Sequence, residues 1–244
     1  MPVYRLDIGY DGSTFRGYAR QEGERTVQGE LEDALRTYLK TDPVTSVAGR
    51  TDAGVHALGQ VVSFEHDAVL DTDRTRRALS GILGPQVSVH SVRIVPDGFN
   101  ARFSAKWRRY RYILDQGEDP NPLTRGFVWH VGRPLDQAAM VAASEFFVGE
   151  HDFSSFCRAR PGTSNVRRIS ILELEPKGPE LIWWIQANAF CHQMVRSIVG
   201  YLYDVGRGFS EGSRTPKVIW ARDRSVVATI APAHGLTLCA VGYD

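Results

Sequence analysis

Between Val44 and Glu65 the chain carries the segment Gly49-Arg50-Thr51-Asp52-Ala53-Gly54-Val55-His56-Ala57, in which a carboxylate follows a guanidinium by two residues and glycines frame both. Glycine allows the tight backbone geometry that a loop needs to present one side chain. A carboxylate of ordinary acidity is ionised near neutrality, and a neighbouring arginine favours the charged form. Asp52 is therefore a candidate for nucleophilic or proton-transfer work, with Arg50 keeping it charged and aimed. On residue type alone, the plainer reading of an aspartate turn with a surface ion pair is preferred. Tyr110 and Tyr112 share one face of a strand, with Arg109 and Arg111 on the other. Core packing accounts for Tyr112 and, on pattern alone, equally for Tyr110. Arg196 stands beside Met194, Val195, Ile198 and Val199, where a long basic side chain ordinarily runs its stem over apolar surface to reach water.

The elements that must hold these residues follow from periodicity. Val3 to Tyr10 alternates with Tyr4, Leu6, Ile8 and Tyr10 on one face, a strand pattern. Thr26 caps a helix whose stripe is Val27, Leu31, Ala34, Leu35, Tyr38 and Leu39, ended by Asp42-Pro43. Val44–Ala48 and Gln60–Glu65 read as strands flanking the Asp52 segment. A helix from about Asp73 to Leu83 stops at Gly84-Pro85, and Val87–Val95 is a strand. Further on come a strand at Trp107–Asp115, a helix at Leu135–Val148, and a hairpin of Ile169–Glu175 with Leu181–Ala189. A helix at Met194–Val205 is capped by Gly206, Arg207–Thr215 reads as a polar, mobile loop, and Leu236–Tyr243 is a final strand. Hairpins interspersed with helices predict an α+β fold, with a mainly antiparallel sheet covered by helices mostly on one face.

Composition narrows the function classes. The 244 residues can bury a substantial core, and no apolar run approaches membrane-spanning length. The opening Met1-Pro2-Val3-Tyr4-Arg5 reads straight into a strand, without a signal peptide, so a cytoplasmic location with no membrane partner is expected. Cys157, Cys191 and Cys239 are scattered without metal or redox spacing, which suits a reducing compartment better than a disulfide framework. The histidines form no metal-binding pattern, so neither a metal nor any other cofactor is expected. Net charge is only +1, but lysine supplies just Lys40, Lys106, Lys177 and Lys217 of the 29 basic residues. The arginines cluster at Arg74-Thr75-Arg76-Arg77, Arg108-Arg109 with Arg111, Arg158 with Arg160, and Arg167-Arg168. Each cluster suits phosphate contacts or a solvated face alike.

Gly-Arg-Thr-Asp-Ala-Gly-Val-His closely resembles the active-site motif of the tRNA pseudouridine synthase A family, and the resemblance runs along nearly the whole chain. Tyr10-Asp11-Gly12 with Phe15-Arg16-Gly17 is similar to the family's opening motif, and Thr26-Val27-Gln28 with Leu31-Glu32 to its first helix. Phe99-Asn100-Ala101-Arg102-Phe103-Ser104-Ala105, Arg109-Tyr110-Arg111-Tyr112, and His151-Asp152-Phe153-Ser154-Ser155-Phe156 follow in order. Asn188-Ala189-Phe190, Met194-Val195-Arg196, Ala231-Pro232 and Gly235-Leu236 complete the series. Tyr18-Ala19 departs from it, standing where the family usually has a tryptophan followed by glutamine.

The resemblance implies a pseudouridine synthase fold of two RRM-like (ferredoxin-like) lobes, residues 1–104 and 105–244, forming one catalytic unit. It implies an isomerase of uridines 38, 39 and 40 in the anticodon stem-loop of tRNA, working as a homodimer. Asp52 becomes the nucleophile, Tyr110 the ring that stacks on the target base, and Arg196 a partner of the aspartate. Arg50 becomes the arginine that helps expel the target nucleotide. The chemistry fits, because isomerisation consumes no redox cofactor or energy source and a stacked uridine must be extruded before it can react. Residue types leave open attack on the ribose, attack on the pyrimidine, and proton abstraction. A non-catalytic RNA-binding module would have lost Asp52 or its arginine, and a metal-dependent hydrolase would need a second acid, for which Asp152 is the only candidate.

Overall fold

The computed structural model describes residues 1–158 and 162–244. From the amino terminus, the elements are β1 (Val3–Tyr10), α1 (Val27–Leu39), β2 (Ser46–Val47), β3 (His56–Glu65), α2 (Thr72–Leu83) and β4 (Val87–Val95). There follow β5 (Trp107–Asp115), β6 (Trp129–His130), α3 (Gln137–Ser144), β7 (Gly149–Asp152), β8 (Val166–Lys177) and β9 (Glu180–Ala187). Helices α4 (Met194–Gly206) and α5 (Thr215–Ala221) and strand β10 (Leu236–Gly242) complete the chain. The class is α+β with mostly antiparallel strand pairing, as the alternation of hairpins and helices predicts. Contacts divide the chain into one unit of Met1–Arg108 with Thr237–Asp244, and a second of Arg109–Leu236.

In the first unit β1 lies between β4 and β3, antiparallel to both. Its alternation buries Tyr4, Leu6, Ile8 and Tyr10 as expected, and Leu31 and Leu35 of α1 are also fully buried. Each such side chain contributes roughly 1.5–3 kcal/mol on burial. Thr26 caps α1 by accepting from the Gly29 N–H. Two short strands share one edge of β3. β10 runs parallel beside His56 and Ala57, and β2 runs antiparallel beside Val62 and Ser63. Pairing with β10 at His56 and Ala57, and with Tyr10 of β1 at Ala57, carries the start of β3 back from Gln60 to His56. Thr237 and Leu238 supply a partner strand far along the chain that no local pattern reveals.

In the second unit β5, β9, β8 and β7 are successive neighbours, and β6 pairs in parallel with β5. β7 was not expected. It is four half-polar residues long and pairs Gly149–Asp152 with Ile169–Val166 of β8, so the α3 helix ends early, in a 3-10 turn at Glu145–Phe147. Gly206 is the last residue of α4 rather than its cap. A Cβ there would lie 2.4 Å from Met140 Sδ, so glycine lets the Met140 side chain of α3 pack closely against α4. The polar stretch after α4 leads into a 3-10 turn and then α5, which has a proline in its first turn. The cysteines also differ from expectation. Cys157 and Cys191, 34 residues apart, have Cα atoms 5.7 Å apart and are joined as a disulfide.

Candidate active site

The Asp52 segment is a loop from Ala48 to Val55 between β2 and β3, and both of its flanks are tied to the core of the first unit. Gln60, fully buried on β3, donates through Nε2 to Gly49 O at 2.7 Å and to Tyr10 Oη at 3.2 Å. Its Oε1 accepts from the Val61 N–H, so the whole amide is used. With its oxygen taking the Gln60 proton, the Tyr10 phenol can donate its own to Thr51 Oγ1, 2.8 Å away. Burial pushes the Tyr10 phenol up to about 12, against the pull of its bonds to Thr51 and Gln60. It therefore stays a neutral donor throughout the physiological range.

The opposite side of the loop is held by the chain after β1. The Tyr18 N–H donates to Thr51 O at 3.0 Å, and the Val55 N–H closes the turn onto Asp52 O at 3.1 Å. Gly12 packs so closely that a Cβ there would sit 2.1 Å from Val55 O. The Gly12 N–H donates to His56 Nδ1 at 3.0 Å, and the same nitrogen lies 3.1 Å from Asp11 Oδ1. Tyr18 is fully buried, and its phenol is held well above its ordinary pKa by that burial. Below the loop, Arg108 donates through Nε and Nη2 to Ala48 O at 3.0 and 2.7 Å. Thr51 is buried, Asp52 half-buried and Arg50 exposed. The arrangement holds the Asp52 backbone rigidly from both sides.

In the second unit Tyr110 is buried on β5, and its ring meets the edge of Phe190 at 5.1 Å and 89°. Tyr112 is a core residue, as expected. It is fully buried, donates to Pro232 O at 2.9 Å, and has a phenol raised far above its ordinary pKa by burial despite the Arg196 charge. Arg196 is half-buried on α4. Its Nε donates to Ala231 O at 2.7 Å, while the Ala231 N–H donates to Arg196 O at 3.0 Å. This reciprocal pair fixes the start of the guanidinium stem.

Sequence reading missed Gln60 and Tyr10 as braces of the loop and mistook Arg108. Tyr10 falls on the core face of the β1 alternation, although a phenol buried there needs a partner. Arg108 is buried with its guanidinium on the carbonyls of Ala48, Ala105 and Arg102, so it offers nothing to a phosphate. Arg74 and Arg77 are exposed along α2, Arg109 donates to Gln186 Oε1, and Arg167 donates to backbone carbonyls. Arg160 lies outside the described residues.

Comparison with known proteins defines the class. A family model described as tRNA pseudouridine synthase matches residues 143–244, a stretch that includes Arg196. A tRNA pseudouridine synthase A of Frankia casuarinae is 45% identical over 243 residues, covering 98% of this chain and 88% of the relative. Enzymes of the same name from Methylobacterium nodulans and Bacillus licheniformis are each 42% identical, the former covering 100% of this chain and 96% of the relative, the latter 98% of both. The protein is thus an isomerase of the pseudouridine synthase class. More narrowly, the chain belongs to the tRNA pseudouridine synthase A family. Among solved structures, a Cbf5-Nop10-Gar1 complex aligns with 96% of this chain and 57% of its own at a TM-score of 0.41 and 11% identity, too distant to bear on fold or site.

Proposed function

We propose that this protein converts uridine to pseudouridine at positions 38, 39 and 40 in the anticodon stem-loop of tRNA, with Asp52 as the nucleophile. In the reaction the C1′–N1 bond breaks, the base turns, and a C1′–C5 bond forms, while C5 loses a proton and N1 gains one. Atoms and electrons balance without an oxidant or reductant, so the protein needs no cofactor. Arginines dock the phosphate backbone while one uridine leaves the stack, helped by Arg50. The extruded base rests against Tyr110, Arg196 partners the aspartate, and Asp52 performs the covalent step. The enzyme works as a cytoplasmic homodimer whose two lobes form one catalytic unit.

The observation that supports this reading best is the bracing of the Asp52 loop through Gln60, Tyr10 and Tyr18. A surface turn has no need of three buried or main-chain clamps, whereas a nucleophile must be held within a fraction of an ångström of its target. Bulk tRNA incubated with the wild type, with no metal or cofactor added, is expected to gain pseudouridine in the anticodon arm. The Asp52→Ala variant should bind the same tRNA and convert none. A variant that retains conversion would remove Asp52 from the mechanism, and added chelator that abolished wild-type activity would favour a metal-dependent reaction instead.

A further inference from the structure

The loop that follows β4 presents a side chain that folding does not use. Phe103 is 79% exposed at its tip. The guanidinium of Arg102, also exposed, lies over its ring with Cζ 5.2 Å from the centroid. An aromatic ring so exposed contributes almost nothing to the core, so stability gives no account of it.

The loop beneath it is nevertheless rigid. Asn100 Oδ1 accepts from the N–H groups of both Arg102 and Phe103, at 3.0 and 3.2 Å, and its Nδ2 donates to Ser46 Oγ. The Ala101 N–H donates to Ser63 Oγ of β3 at 3.0 Å, and Tyr243 Oη donates to Ala101 O at 2.9 Å. Arg108 Nη2 donates both to Arg102 O at 3.0 Å and to Ala48 O at 2.7 Å. One buried guanidinium therefore ties the Phe103 loop to the base of the Asp52 loop within the same unit. A second exposed pair, Arg207 over Phe209, lacks this character, because Asp204 neutralises Arg207 at 2.8 Å. Among the described residues Arg102 has no carboxylate partner.

We infer that Phe103 and Arg102 form a preorganised stacking platform for an unpaired nucleotide of the substrate RNA. The Phe103 ring takes the base, and Arg102 takes the adjoining phosphate. A rigid, exposed ring offers a base a π-face at little entropic cost, and a cation beside it complements a polyanion. A nucleotide in a loop is the fitting occupant, because a paired base is already stacked on its neighbours. The inference deepens the proposed function and rests on RNA being the substrate.

The test is equilibrium binding of a tRNA transcript to the full-length protein across a salt series, with pseudouridine formation followed in parallel. Phe103→Ala and Phe103→Leu should weaken binding by about 5- to 100-fold with no change in salt slope or melting temperature, and Phe103→Tyr should bind like the wild type. Arg102→Gln should also bind more weakly, with the salt slope reduced by about 1. Wild-type affinity in Phe103→Leu would overturn the platform, since leucine keeps the apolar bulk and loses the π-face. A change of oligomeric state without a change in affinity would overturn it equally, by assigning the ring to a contact between copies of the chain. A wild type that binds but converts no uridine would sink the proposed reaction and leave the platform standing. Conversion by a wild type whose Phe103 variants bind normally would do the reverse.

Discussion

Two side chains far apart in sequence, Tyr10 and Gln60, share the work of holding the Asp52 loop, and their chemistry sets what their loss should do. Gln60 satisfies Gly49 O, and Tyr10 satisfies Thr51 Oγ1, on either flank of Arg50 and close to Asp52. Tyr10→Phe leaves the Thr51 hydroxyl without that partner, and Gln60→Leu leaves both the Gly49 carbonyl and the phenol without theirs. Each buried loss costs about 1–3 kcal/mol of stability. Because the loop then samples wider positions, kcat should fall by about tenfold or more while KM for tRNA changes little. Steady-state kinetics beside a thermal melt decides the point. Equal rises in KM with kcat intact would assign these residues to substrate binding instead. Asp52 stands out as a candidate in the sequence because its motif is local. Its braces do not, because tyrosine on a buried face and glutamine on a strand carry no local mark of their partners.

Among the elements, β1 carries a charge cluster that makes the stability of the first unit depend on acidity. Asp7 is partly buried, which raises its pKa, but hydrogen bonds from Ser91 and Arg93 of β4 and from Arg5 on the same strand outweigh that and lower it below the usual 3.8. A carboxylate with a lowered folded-state pKa stabilises the fold above its unfolded value and loses that contribution as pH falls through the folded value. The wild type should therefore lose melting temperature below about pH 4, relative to Asp7→Asn. At neutral pH the variant should be the less stable by about 1 kcal/mol, because the cluster is partly exposed. Parallel melts from pH 7 to pH 2 read the difference directly. A constant gap between the two curves would show that the ion cluster does not couple to folding. The strands themselves follow from alternation, since β1, β4 and β5 begin and end where the pattern places them. The short β6 and β7 exist only through partners supplied by other elements, and the expected Val44–Ala48 strand shrinks to Ser46–Val47 of β2.

At the scale of the whole molecule, the chain leaves its first unit at Arg108 and returns to it at Thr237. The returning segment places Thr237 and Leu238 beside His56 and Ala57, at the start of the strand that follows the Asp52 loop. It also brings the Tyr243 hydroxyl to Ala101 O and Gly242 O to the Lys106 N–H. Deleting residues 237–244 should therefore disrupt the first unit, although those residues come last in the sequence. Limited proteolysis with mass mapping should show early cleavage between residues 48 and 60 in the truncated chain and protection in the full one. Equal protection in both would mean that β10 is dispensable to the loop.

The α+β class, the long strands and helices, the core face of β1, and the candidate motif around Asp52 could all be read along the chain. These depend on hydrophobic period, caps and contiguous motifs, all of which lie within one stretch of chain. Folding in three dimensions was needed to show that β3 starts at His56, that Cys157 bonds Cys191, that Gln60 and Arg108 hold the Asp52 loop, and that Phe103 stands exposed on a braced support. Most of these depend on partners tens to well over a hundred residues away, and Gln60 on one 11 residues back. A side chain whose hydrogen bond, disulfide or strand neighbour lies that far off shows in the sequence only its own type. Its role is set when the fold closes the distance.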